Sequence, residues 1–207
     1  RVFQRLAELI EKRPGMENRA RLLRENGERW AAAADGAWCG DWFLRGYYDD
    51  GATLGSCGDS ACEIDSVAQS FGALWGLADP ARARRALQSA ISKLYDQRTR
   101  LVCLLTPPFG GEGPNPGYIG SYPPGIRENG GQYTHAAVWL AMACLRSGME
   151  EEGYELIRAL LPGGRDTAVY RVEPYVLAAD VYSHPHQKGR GGWSWKSSPV
   201  SSGERHG

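Results

Sequence analysis

The 207-residue chain carries 24 basic and 24 acidic side chains with no block of like charge, which excludes a phosphate-backbone footprint for nucleic acid and an anionic-membrane patch. That length suffices for one sizeable core or for a large piece of a bigger domain. No apolar run approaches the roughly 20 residues that span a bilayer, and the five cysteines form an odd set without a CxxC pair, which fits free thiols in a reducing compartment.

The amino end, "RVFQRLAELIEKRPG", has amphipathic spacing rather than a secretory apolar core: Val2, Phe3, Leu6, Leu9 and Ile10 share one helical face, and Arg13–Gly15 stops the helix. Met16 to Ala34 reads as a second helix, with an expected interruption at Gly27. "DWFLRGYYDDGATLGS" changes period and alternates large residues about Asp50-Gly51, a hairpin with two short strands. Helical period returns from Ile64 through Trp75. A further helix follows Pro80, placed where a first-turn proline is tolerated. Two more helices are expected at about 133 to 147 and 150 to 161, separated by Gly148, and Glu173-Pro174 opens a last apolar segment through Tyr182.

Between Tyr95 and Tyr133 no period is sustained. Connections of that length are uncommon in compact domains unless they bind something or are disordered. Phe109, Tyr118, Ile119 and Tyr122 favour an ordered binding loop.

Within that loop, Tyr118, Tyr122, Tyr133, Arg127, Glu128 and Asn129 supply aromatic platforms and charged groups suited to the apolar faces and hydroxyl rims of sugar rings. The alternative is that the tyrosines edge the core and Arg127-Glu128 is a solvent-facing pair. His135 stands at the start of an apolar helix, where first-turn N–H groups favour an anion; a capping or core histidine is the plainer reading. "KGRGG" with Ser194, Ser197 and Ser198 offers further anion donors but lacks the ending of a nucleotide-binding loop. Asp49-Asp50 fits turn chemistry, and Glu63 and Asp65 fit the dipole of a helix start. Cys57 and Cys62 with His184 and His186 match no zinc-ligand spacing, and no GxSxG supports a serine nucleophile.

"LLTPPF", "PGYIGSYPPGIRENGGQYTHAAVWLAMA" and "YRVEPYVLAADVYS" followed by "GRGGWSW" resemble the signature blocks of glycoside hydrolase family 94, the inverting glycoside phosphorylases. Among these they are most similar to the phosphorylase-type region of cyclic β-1,2-glucan synthases. "WFLRGYYDDGATLGS" and "EIDSVAQSFGALWG" resemble two earlier blocks in the same order. The resemblance implies a mainly α fold, the later part of an (α/α)6 barrel with a small β-hairpin. Residues 1–195 would be a partial phosphorylase-type domain, and residues 196–207 a divergent or disordered tail. It implies no cofactor, inorganic phosphate as co-substrate and a β-linked glucan or oligoglucoside as substrate. The remainder of a longer polypeptide is the expected partner, a homodimer is allowed, and no nucleic acid is expected. Location would be cytoplasmic, at the cytoplasmic face of the inner membrane if the parent is a cyclic glucan synthase.

By the same resemblance Tyr122 lines the leaving-sugar subsite, Arg127 and Glu128 grip hydroxyls of the transferred sugar, and His135 binds phosphate with Ser197 or Ser198. An inverting hydrolase needs two carboxylates, whereas phosphate is already an anionic nucleophile and needs only a cradle. The family's general-acid aspartate lies in a "DWND"-like motif that is absent here, and "KSSPVSSGERHG" replaces the family's ending. The expectation is therefore a fragment that is inactive by itself. The alternatives are a noncatalytic oligosaccharide-binding or relic segment, and an inverting hydrolase on the same barrel.

Overall fold

The computed structural model describes residues 2–77, 79–111, 113–163, 170 and 177–183. Among them are six α-helices and only two-residue strands: α1 Val2–Ile10, α2 Glu17–Gly36, α3 Ser66–Leu74, α4 Pro80–Leu94, α5 Thr134–Arg146 and α6 Glu150–Leu160. The fold is mainly α, as the periodicity predicts. None of these helices is long and apolar enough to cross a membrane.

Helix starts follow local chemistry. Asp79 caps α4 by accepting from the N–H groups of Ala81 and Arg82 at 2.9 and 3.2 Å, ahead of Pro80 in the first turn. Gly27 does not interrupt α2, contrary to expectation. A Cβ there would stand 3.2 Å from Phe3 Cβ, so the glycine serves the close approach of α1 rather than a break. Smallness also governs α5, whose buried positions include Ala136, Ala137, Ala141, Ala143 and Cys144. Its backbone thus comes close to α6, where a Cβ on Gly153 would stand 2.7 Å from Leu145 Cγ. The main core joins α3, α4, α5 and α6 through Leu74, Leu87, Leu94, Leu140, Met149 and Leu156, all buried. Each such side chain contributes about 1.5–3 kcal/mol.

The anticipated hairpin is present: β1 (Gly46–Tyr47) pairs antiparallel with β2 (Thr53–Leu54), and Asp50 Oδ1 accepts the N–H of Ala52 at 2.9 Å in the turn. Asp50 thus does the structural work expected of it. Three further pairings were not anticipated: β3 (Ile64–Asp65) with β6 (Leu105–Thr106), β4 (Tyr95–Asp96) with β5 (Leu101–Val102), and β7 (Gln132–Tyr133) with β8 (Asp180–Val181). Ile64 and Asp65 are therefore extended, not helical as the period suggested. The 95–133 loop is held by these bridges, by a 3-10 turn at Gly117–Ser121 and by side chains.

Strands this short leave backbone groups to be satisfied by other means. The fully buried Gln69 accepts from the Phe43 N–H at 2.8 Å and donates to the carbonyls of Phe43 and Asp65 at 2.9 and 3.0 Å, fastening the loop before the hairpin to α3. Gln69→Leu conserves volume but orphans these groups. We expect a loss of about 2–5 kcal/mol from the unsatisfied pair at Phe43, read as a lowered urea midpoint. A loss below about 1 kcal/mol would show that water replaces the amide.

Candidate functional site

The loop preceding α5 is built around Asn129. Its carboxamide accepts from the Phe109 N–H at 2.7 Å and donates to the carbonyls of Phe109 and Tyr122 at 3.0 and 2.8 Å, while its own carbonyl accepts from Gly125 N–H at 2.7 Å. The chain between is pinched into a turn in which Arg127 takes φ +49°, a left-handed conformation that costs a non-glycine residue about 1–2 kcal/mol. Gly130 and Gly131 follow because space requires them: a Cβ would lie 2.9 Å from Pro108 Cβ at the first and 2.8 Å from the Arg127 carbonyl oxygen at the second. Ser183 fastens the outside, its hydroxyl donating to the Gly130 carbonyl at 2.7 Å and its N–H to that of Gly125 at 2.8 Å.

This packing delivers Glu128 and His135 to the same cleft, of about 620 Å³, whose other polar walls are Arg45, Asp65, Tyr118 and Tyr133. Such a volume suits a small ligand. A larger groove of about 820 Å³, bounded by Trp30, Phe43 and Leu77 and sharing Arg45 and Phe71 with the cleft, is apolar. The concentration of polar chemistry makes the smaller cleft the candidate site.

Within it, the Tyr133 hydroxyl donates to Glu128 Oε1 at 3.3 Å. Burial, with the neighbouring Glu128 second, pushes the Tyr133 phenol up to about 12, so it stays a donor at neutral pH. Glu128 Oε2 is buried and meets no hydrogen-bond partner among the described residues. An orphaned buried acceptor is costly, and a ligand hydroxyl would satisfy it. His135 stands between two rings, 4.7 Å from the Tyr133 centroid at 89° and 4.9 Å from that of Trp139 at 76°. Burial lowers its pKa while Glu128 acts in the opposite direction. The imidazole is thus held toward the neutral form and offers an N–H without a full charge. Of the first-turn N–H groups of α5 expected to be open, that of Thr134 is already donated to the Ala179 carbonyl at 2.9 Å.

Tyr122 and Arg127 do not line the cleft. The Arg127 guanidinium packs on the Tyr122 ring at 5.7 Å from its centroid, and Tyr122 meets the cleft-lining, exposed Tyr118 edge-on at 6.4 Å. They form an aromatic and cationic rim one residue away. Ser197 and Ser198, with Lys188–Gly192, lie outside the described residues.

The chain's own pattern offers Asp65 only as a helix start and does not point to Arg45. Asp65 is 1% exposed; Oδ1 caps α3 by accepting from Val67 and Ala68 N–H at 2.8 and 3.2 Å, and Oδ2 receives the Arg45 guanidinium. Burial pushes its carboxyl up, against the pull of Arg45 and the two cap N–H groups. A place at the helix start accounts for only part of Asp65, because an exposed cap needs no second partner and this one is buried. An Asp followed by "SVAQ" signals a cap at this position, but nothing local points to an arginine twenty residues upstream.

Residues 2–203 match the catalytic domain of the glycosyl hydrolase 94 superfamily. The chain belongs to that superfamily. It is 46% identical over 169 residues to cyclic beta-(1,2)-glucan synthase NdvB of Rhizobium meliloti, covering 79% of this chain. Against two Paenibacillus borealis proteins it is 31% identical to solabiose phosphorylase over 70% of its length, and 32% identical to 3-O-beta-D-glucopyranosyl-beta-D-glucuronide phosphorylase over 62%. These alignments span 6% of the synthase and 19% and 16% of the two phosphorylases. In the glycosyl hydrolase 94 chain, the blocks that carried the resemblance contain Glu128, His135, Asp65 and Arg45.

His135 supplies a test of this geometry. Its imidazole should titrate below the ordinary value of about 6.5 in NMR, and Glu128→Gln should lower the midpoint further, because the carboxylate favours the imidazolium. With the folded pKa below the unfolded one, this histidine's contribution to stability is intact above about pH 6.5 and declines as pH falls from there through the folded pKa. An upward movement in the Glu128→Gln variant would separate the two side chains.

Proposed function

We propose that the cleft is the sugar and phosphate site of an inverting phosphorylase that transfers glucosyl units from a β-linked glucan, and that the chain works as part of a longer (α/α)6 polypeptide. The observation that carries this reading is the meeting of Glu128 and His135 in one cleft, with a buried carboxylate oxygen unpartnered among the described residues. Similarity to a cyclic β-1,2-glucan synthase and to phosphorylases supports the substrate class. A β-1,2-linked glucan is the first to test.

Glu128 accepts from hydroxyls of the glucosyl unit, and Tyr133 restricts the carboxylate to one orientation by holding its other oxygen. His135 donates from a neutral ring to a phosphate oxygen. That oxygen bonds to the anomeric carbon from the face opposite the leaving group. The glycosidic C–O bond breaks, and the leaving oxygen takes a proton from an acid supplied by the rest of the polypeptide. Inversion follows from this in-line displacement, giving an α-sugar 1-phosphate. Because phosphate arrives already anionic, no second carboxylate is required, and holding it against the sugar supplies the proximity contribution. Tyr118 and Tyr122 present aromatic faces at the rim for the neighbouring sugar.

In the full-length polypeptide that carries this sequence, linear β-1,2-glucan should release glucose 1-phosphate only when phosphate is present; breakdown indifferent to phosphate would reject the reading. His135→Ala should raise the KM for phosphate about tenfold or more, the equivalent of one hydrogen bond to a charged ligand, and the KM for glucan much less. The reverse ordering would remove phosphate from His135.

A further inference from the structure

The cleft holds one side chain whose chemistry this reading leaves unused. Arg45 immediately precedes β1, and its backbone N–H donates to the Leu54 carbonyl at 2.8 Å. Its guanidinium, on a side chain 28% exposed, donates to the buried Asp65 and lines the cleft with Glu128 and His135. Arginine has five N–H donors in a rigid fork, and Asp65 engages only one edge of it. Asp65 in turn is fixed by the first turn of α3. Both ends of Arg45 are therefore anchored, one by the hairpin and the other by a helix cap, while the guanidinium N–H groups that Asp65 does not engage meet no partner among the described residues.

We infer that Arg45, oriented by Asp65, is a further substrate-binding residue of this cleft, donating to hydroxyls of the same glycosyl unit whose hydroxyls donate to Glu128. The inference rests on the sugar site proposed above. A donor fork and an unpartnered acceptor on walls of one cleft complement hydroxyl groups, each of which can both give and accept a proton. Asp65 already balances the charge of the Arg45 guanidinium, so among the described residues the lining beside Arg45 holds no excess positive charge, which suits a neutral polyol there. Pairing with the buried Asp65 occupies one guanidinium nitrogen, and a purely structural role leaves the other donors of the fork unused. Asp65 is accordingly a positioning residue.

The test uses the full-length polypeptide that carries this sequence, with a β-1,2-linked gluco-oligosaccharide as probe. It combines initial rates at varied oligosaccharide and varied phosphate with calorimetric binding of the same sugar in the absence of phosphate. Arg45→Met keeps the apolar stem and removes the donors. It should raise both the oligosaccharide KM and the calorimetric Kd about tenfold or more, and move the phosphate KM by no more than about twofold. Asp65→Asn keeps a cap acceptor and removes the charge that orients the fork, so it should reproduce that selective pattern more weakly, with a lowered melting temperature from the broken ion pair. Should Arg45→Met fail to fold, Arg45→Lys, which keeps the charge beside Asp65 but not the fork, should show the same selective rise. A rise confined to the phosphate KM would make Arg45 an anion ligand and overturn the inference. Unchanged constants in a folded variant would reduce the pair to structure and overturn it equally. A wild type that binds the oligosaccharide but never transfers it to phosphate would defeat the proposed reaction alone, leaving calorimetry of the variants to judge Arg45.

Discussion

The candidate site depends on the carboxamide of Asn129. A loop that must carry Pro107, Pro108, Phe109 and Tyr122 past one another has no regular ladder in which to pair its backbone, and buried unpaired N–H and C=O groups are costly. Asn129 resolves this from a fully buried position by pairing with both the N–H and the carbonyl of Phe109 and with the carbonyl of Tyr122. That junction ties the stretch of loop at Phe109 to the turn that carries Tyr122 and Arg127. Gln69 does the same for the loop before the hairpin, and Gln132 accepts the Val102 N–H at 3.0 Å. Three buried amides thus do here what strand pairing does in a sheet. Because each satisfies several groups at once, the loops they join are fixed in relation to one another and not merely tethered.

Two loops so fixed then meet across α3. Asp65 starts that helix and holds Arg45, and Phe71 within it contacts Trp139, 5.0 Å away between ring centroids, which in turn packs against His135. The helix therefore reaches Arg45 through its cap and His135 through its aromatic side. Phe71 and Arg45 also line the apolar groove on the other side, so the wall between groove and cleft carries contacts to both donors. Packing in the groove and orientation in the cleft are in this sense one problem. Close packing transmits displacement across a wall one side chain thick.

Much of this was legible from the sequence, for identifiable reasons. Long apolar periods located the helices, and Asp50-Gly51 located the hairpin, because a helix stripe and a tight turn are written in neighbouring residues. Gly27 misled because propensity is weaker than the demand of α1 for close approach. The extended stretch at Ile64–Asp65 was missed because its partner, Leu105–Thr106, lies forty residues away, and short pairings carry no local signature. Glu128 and His135, which the resemblance names, line one cleft because the loop between them is short. Tyr122 and Arg127 stand at the rim instead of on the cleft wall, a distinction that depends on the left-handed turn at Arg127 and cannot be read from residue type. Arg45 escaped notice for the same reason as β6: its meaning lies in a distant carboxylate.

On the reading proposed above, one small space receives both a neutral sugar and an anion. Among the described residues Glu128 and the Arg45–Asp65 pair then give a polar wall with no excess positive charge. His135, clamped by Tyr133 and Trp139, contributes an N–H that need not be ionised. A fixed cation in its place would bind phosphate strongly before reaction as well as during it, and attraction shared equally by ground and transition states lowers KM without accelerating the chemical step. A neutral donor set in rigid aromatic contact restrains direction more than it adds affinity. The demand then falls on orientation, which explains why so much of the surrounding sequence, from the paired glycines to the buried amides, is spent on holding a short loop still.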